Sequence, residues 1–229
     1  MAVVPTVPAS GSSWWTRQTA IRVPTAPDHA GATAPGARPV GTEQDGGVVV
    51  RLVVVGPDDD ALLAAALQLR TGEEQQRFAK APAESFPLAL ADPARTPFVV
   101  LSGEDDDDGG VVGAGVLHAG AAASDQDPEL AELLAASGED PATAVLLRSF
   151  VVGADHQGRG HGTAAARAAV ALAPVVAPAA RVVVLTVNER NAPGLRAYGR
   201  AGFADVGRYL GGDAGPQRAM TARCGPATR

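Results

Sequence analysis

The stretch that most restricts this chain is Phe150-Val151-Val152-Gly153-Ala154-Asp155-His156-Gln157-Gly158-Arg159-Gly160-His161-Gly162-Thr163. It reads as a buried strand, a glycine-rich turn and the start of an alanine-rich helix. Gly158, Gly160 and Gly162 alternate through the turn, so no side chain there keeps a ligand from the backbone. The first N–H groups of the helix lack intrahelical partners and carry the positive end of its dipole, so the turn suits an anion such as a diphosphate.

The rest of the chain supplies a scaffold for that turn. Val48 to Val55 is almost wholly β-branched and reads as a buried first strand. Asp58-Asp59-Asp60 then caps a helix over 61–69 and favours its first turn electrostatically. Glu73 to Phe78 begins a second helical segment, and Ala83 to Ala91 forms a third. Phe98 to Leu101 and Val111 to His118 pair across the acidic loop 103–110, which reads as a solvated hairpin tip or as an attractor of cations.

Asp127-Pro128 opens an inserted helix that Gly138 closes. Ala144 to Val152 is the strand feeding the glycine turn, and the helix beyond it spans 162–173 and stops at Pro174. Arg181 to Val187 is another strand. Asn191 to Ala201 is a helix with Gly202 at its C-terminal stop. Phe203 to Tyr209 and Gln217 to Ala222 close the chain. Strand–helix–strand units need parallel crossovers while the hairpins are antiparallel, so the expected class is α/β. The expected architecture is a mixed central sheet of six to seven strands with flanking helices.

Residues 1–46 hold six prolines among Ser, Thr, Ala and Gly, a composition that buries too little to offset ordering entropy. A disordered tail, followed by one domain over 47–229, is expected. Within the tail, Trp14-Trp15 is a docking motif, a flap, or an exposed aromatic pair. Net charge is −6 with no basic stripe, which speaks against nucleic acid. Cys224 is the only cysteine, so no internal disulfide forms and a zinc cluster is not expected. The apolar stretch 164–187 is interrupted by Arg167, Pro174, Pro178 and Arg181, so a membrane span is not expected, and a cytoplasmic protein is.

Three anion-binding patterns compete for the turn. A dinucleotide fingerprint needs a third glycine where Thr163 stands, and a P-loop needs a lysine before Thr163. The third pattern, Gln/Arg-x-x-Gly-x-Gly/Ala, matches Gln157 to Gly162 and resembles the acetyl-CoA loop of the GNAT N-acetyltransferase superfamily. A second unit follows in register: Asn191 opening a helix, Tyr198 two turns on, and Gly202-Phe203 closing it. Residues 74–78, 83–86, 147–150 and 212–217 resemble the polyamine acetyltransferase-like branch more loosely.

The resemblance implies a fold in which the strands ending at Val152 and Val187 splay apart and pantetheine lies between them. Val151, Val152 and Gly153 would lend it backbone hydrogen bonds. Gln157, Gly158, Arg159, Gly160, His161, Gly162 and Thr163 would hold the diphosphate, with Asn191 and Tyr198 beside the cofactor. It implies acetyl-CoA as co-substrate, no metal, and transfer of the acetyl group to a primary amine. A small cationic acceptor such as a polyamine fits the net charge and Glu73, Glu74 and Glu84. A protein amine, or an acyl-CoA-binding sensor or scaffold without turnover, stays open, as does a homodimer.

Tyr198 carries over as the general acid that protonates the departing sulfur. It also reads as a core aromatic, just as Asn191 reads as a plain helix N-cap. The strand before the turn offers Arg148 and Ser149 where relatives often place an acid. The base is therefore sought at Glu74 or His118, with Glu73, Glu84 or a water chain as alternatives.

Overall fold

The computed structural model describes residues 20–22, 48–72, 78–103, 110–123, 127–212 and 214–225. Its strands are β1 (Ala20–Arg22), β2 (Val50–Val54), β3 (Arg95–Ser102), β4 (Val111–Ala119), β5 (Ala144–Val152), β6 (Val182–Asn188), β7 (Ala204–Tyr209) and β8 (Gln217–Arg223). Its α-helices are α1 (Asp60–Leu67), α2 (Pro82–Leu90), α3 (Pro128–Ala136), α4 (His161–Val176) and α5 (Ala192–Arg200). The strands form one eight-stranded sheet in the order β1-β2-β3-β4-β5-β6-β8-β7.

The expected mixed α/β sheet is present, with one strand more than the sequence suggested. The addition is β1, which lies inside the stretch read as a tail and pairs antiparallel with β2. Trp14-Trp15 and the remainder of 1–46 fall outside the described residues. So do residues 73–77, and with them most of the expected second helical segment. No described helix is long and apolar enough to cross a membrane.

Among the described strands only β5 and β6 pair in parallel, because the chain must cross over through α4 to return in the same direction. Their pairing covers Ala144–Val182, Val145–Val183 and Leu146–Val184 and goes no further. Beyond Leu146, β5 stays with β4 as far as Val152, while β6 stays with β8 as far as Asn188. The two strands therefore part and leave a crevice.

An irregularity in β5 accompanies that parting. Ala114 pairs with Val151 and Val116 with Arg148, so Gly115 alone faces both Ser149 and Phe150. This is a β-bulge, and it bends the strand that carries it. Ser149 absorbs the extra residue at φ +49°, a conformation that is uncommon for a side chain larger than glycine. Gly115 makes room opposite, since a Cβ there would lie 2.6 Å from the Phe98 ring and 3.1 Å from that of Phe150.

The two faces of the sheet bury different partners. On one face, α4 lays Ala165, Ala166, Ala168, Ala169 and Leu172 against Leu117, Leu147, Val183 and Leu185. Its small residues let the helix backbone sit close to the sheet. On the other face, α1 and α2 contribute Ala66, Phe86 and Ala89 to a cluster with Val53, Val99, Val116 and Val151. The inserted α3 buries Leu130 and Leu134 near Val182 and Val184. Its Asp127 caps Leu130 N at 3.1 Å, as the sequence predicts.

Two local expectations fail. Pro174 does not end α4, which runs on to Val176. The missing N–H removes a single bond to Val170 in the last turn, and Ala177 N closes the helix on Ala173 O at 2.9 Å. Asp59 occupies the N-cap of α1, but its side chain does not bond forward into the helix. Its Oδ2 instead accepts the N–H of Gly56 at 2.7 Å, which locks the turn that precedes the helix.

Candidate functional site

The glycine turn begins where β5 leaves the sheet. Ala154–His156 makes one 3-10 turn, Gly158 follows at φ +72°, and Gly160 caps α4 at φ +91°. Both glycines are needed for these left-handed conformations. Gly162 is different: it lies within α4, and a Cβ there would meet Val152 Cγ2 at an ordinary 3.7 Å. No acceptor among the described residues meets the N–H groups from Gly158 to Thr163. They form a row of donors at the positive end of a 16-residue helix.

The side chains around this row mostly shape it. Gln157 Nε2 donates to Val152 O at 3.0 Å and ties the turn to the strand end. His161 is buried, with Nδ1 3.1 Å from His156 O and Nε2 3.1 Å from Ser102 Oγ. A carbonyl only accepts, so Nδ1 carries a proton towards His156 O, and Nε2 shares a hydrogen bond with the Ser102 hydroxyl. Thr163 Oγ1 turns inward and donates to Ala197 O at 3.4 Å, joining α4 to α5. The exposed Arg159 is the cation of the turn.

On the strand, Val151 points its side chain into the core beneath α1 and α2. Gly153 spends both backbone groups within the protein: its N–H donates to Val112 O at 2.8 Å, and its carbonyl accepts from His156 N at 2.9 Å. By the alternation of an antiparallel ladder, the backbone polar groups of Val152 then face away from β4, towards the crevice.

Asn191 does what its N-cap reading predicts, as Oδ1 accepts Gly194 N at 3.0 Å. The far end of α5 is closed by Gly202 at φ +95°, with Phe203 N donating to Tyr198 O at 3.0 Å. Tyr198 is thereby held among aromatic rings. Its centroid lies 6.3 Å from Phe150 and 5.9 Å from Phe203, and Phe150 lies 6.4 Å from Phe98. These rings link α5 to the bulged part of β5. The Tyr198 hydroxyl makes no hydrogen bond to a described residue, and burial pushes its pKa well above that of an ordinary phenol.

The expected bases fare differently. Glu74 lies outside the described residues, as does Glu73, and Glu84 is exposed on α2. His118 lies on β4 opposite Leu146, with Nδ1 3.4 Å from Arg148 Nη1. Burial, then Arg95 and Arg148, lower its pKa, so the imidazole is neutral at pH 7. Arginine only donates, so the Nδ1 lone pair is turned on Arg148 rather than on a substrate.

Sequence reasoning passed over Arg148 itself. With Ser149 it lines a small cavity on the α2 face, shared with Lys80, Ser85, Arg95 and Val116. Arg148 makes no ion pair with a described residue. Arg95 has Asp92 3.0 Å away, yet its buried Nε makes no hydrogen bond, so the pair matches in charge without aligning the donor. The available signal was a lone arginine in the run Ala144 to Val152, which is apolar but for Arg148 and Ser149. Among the described residues, no group of three or more His, Cys, Asp or Glu is arranged to hold a metal.

Known proteins give the same picture. The model of the acetyltransferase (GNAT) family matches residues 63–203. No curated protein sequence matches the chain. Among solved structures, an aminoglycoside acetyltransferase, AAC(6')-Ib, in complex with coenzyme A superposes with TM-score 0.56 at 21% identity. That match covers 76% of this chain and 94% of the other. Spermidine N-acetyltransferase from Vibrio cholerae, in complex with CoA and spermine, gives TM-score 0.52 at 14% identity over 76% and 95%. At these identities the structures speak for the fold, and the family match over most of the domain speaks for membership: this chain belongs to the acetyltransferase (GNAT) family.

Proposed function

We propose that the protein is an N-acetyltransferase that takes its acetyl group from acetyl-CoA and passes it to a primary amine. The observation that carries this reading is the row of amides from Gly158 to Thr163, which meet no acceptor among the described residues, beside a crevice opened by a bulged strand. The row fits a diphosphate in charge, in donor type and in lacking obstructing side chains. Bound acetyl-CoA would supply the activated acetyl thioester. This chain's part is to hold that group, exclude water and manage protons.

In this reading the amides of Gly158, Arg159, Gly160, His161, Gly162 and Thr163 hold the diphosphate, while the His161 and Thr163 side chains brace the turn from behind. Gln157 keeps the turn against Val152, and the backbone of Val152 lines the crevice while that of Val151 stays with β4. Asn191 sets the start of α5 and so the position of Tyr198. Tyr198 Oη keeps its proton, because burial disfavours the phenolate, and it is the donor to the departing sulfur. A water molecule, rather than His118, takes the proton from the attacking amine, since the His118 lone pair is engaged by Arg148.

The sequence pointed to a small cationic acceptor such as a polyamine. That expectation rested on the net charge of −6 and on Glu73, Glu74 and Glu84, of which only the exposed Glu84 lies among the described residues. Acetyl-CoA consumption should be followed with polyamines, aminoglycosides, amino acids and peptide amines, alongside CoA binding by calorimetry. Turnover with at least one amine is expected. CoA binding without turnover on any of them would replace the enzyme with an acyl-CoA-binding sensor or scaffold.

A further inference from the structure

We infer that the acceptor carries a carboxylate near its amine, and that Arg148, Lys80 and Arg95 recognise it in the cavity under α2. This rests on the acetyltransferase reading and names the class of its second substrate.

Arg148 and Ser149 are consecutive on β5, just past Leu146 where that strand leaves β6, so the cavity lies beside the start of the crevice. In the sheet register Arg95 faces His118 and His118 faces Leu146, while Arg148 is two residues along from Leu146. Side chains alternate along a strand, so Arg95, His118 and Arg148 share one face. Lys80 joins Arg95 and Arg148, so three cations line a cavity that has no carboxylate among its described lining residues, and Asp92 is already set against Arg95.

That arrangement is costly without an anion. Arg148 is half-buried, and burial and Arg95 both disfavour its charge, with Asp127 and Tyr209 offsetting them more weakly. Arg95 Nε is buried and, although 3.0 Å from Asp92 Oδ2, makes no aligned hydrogen bond with a described residue. His118, held neutral, accepts from Arg148 Nη1 and fixes the direction of the guanidinium without competing for an anion. The planar donor fork of arginine matches a carboxylate, and the Ser85 and Ser149 residues line the same cavity. A polycation placed there would meet three like charges.

The test uses the whole protein and matched pairs: free amino acids against their own carboxamides, with spermidine as the polycation. The free acids are expected to have the higher kcat/KM by at least about tenfold, the size of one charge-assisted hydrogen bond. Arg148→Gln should remove most of this preference. Lys80→Gln, at an exposed position that tolerates change, should reduce it. In parallel, calorimetry measures binding of the N-acetylated amino acids and their carboxamides to the CoA-loaded protein.

If no amine turns over but the N-acetyl acids bind, with a preference that Arg148→Gln removes, the transferase reading falls and the anion site stands. Carboxamides or spermidine used as well as the free acids would overturn the inference while leaving the transferase intact. Absence of both acid-selective turnover and acid-selective binding would overturn it as well.

Discussion

Two glycines of one turn should respond to the same substitution with opposite sign. Gly160 sits at φ +91° as the N-cap of α4, and alanine there must adopt a left-handed backbone. That costs about 1–2 kcal/mol, and the new methyl also comes to 3.4 Å from Val48 Cγ2. Gly162 lies two residues on, in helical conformation, and a methyl there would rest 3.7 Å from Val152 Cγ2. Exchanging glycine for alanine inside a helix is worth roughly 0.5–1 kcal/mol in the stabilising direction. For a domain of this size, about 2–4 °C of Tm accompany each kcal/mol. Gly160→Ala should therefore melt about 2–8 °C lower than the parent and Gly162→Ala about 1–4 °C higher. Differential scanning calorimetry on the three proteins without ligand measures this directly. If Gly162→Ala melted below Gly160→Ala, the reasoning that assigns one glycine to backbone conformation and the other to a helix would be wrong.

Gln157→Ala releases the turn from Val152 O, so KM for acetyl-CoA should rise about 2–10-fold with kcat little changed, as expected for one hydrogen bond. Steady-state kinetics at saturating amine reads this, and an unchanged KM would separate the tether from the cofactor site. Tyr198→Phe should lower kcat by about a hundredfold or more while CoA affinity and Tm hold, because the lost hydroxyl bonds to no described residue. A kcat equal to the parent's at pH 7 would remove Tyr198 from the chemistry. The raised pKa also has a sign for stability. Above about pH 10 the unfolded chain ionises this phenol while the folded one does not, so stability falls as pH rises. The parent should lose more stability than Tyr198→Phe there in urea titrations.

Local signals were legible and long-range ones were not. Asn191, Asp127 and Gly202 revealed their helix ends because a cap depends on a few adjacent residues. The turn was legible for the same reason, since alternating glycines have few uses before a helix. Pro174 misled because its effect depends on its distance from a helix end that packing sets, not sequence. The strand β1 was missed because three residues within a proline-rich stretch carry no periodicity, and only the free edge of β2 gives them a partner. Arg148 was seen as a missing acid rather than as a cation with neighbours, because Arg95 and Lys80 join it from distant parts of the chain.

The bulge at Ser149 also sets the parity of the strand. Leu147 faces α4, and under strict alternation Phe150 would face away from it; the extra residue turns Phe150 and Val152 back towards α4 and Val151 towards α2. One residue thus decides which half of β5 serves the crevice and which serves the core. Deleting Ser149 would not merely shorten the strand. It would exchange the roles of every side chain on one side of the break, taking Phe150 away from Tyr198. The register of β5 therefore depends on the number of residues at this point, while the positive φ at 149 narrows which residues fit there.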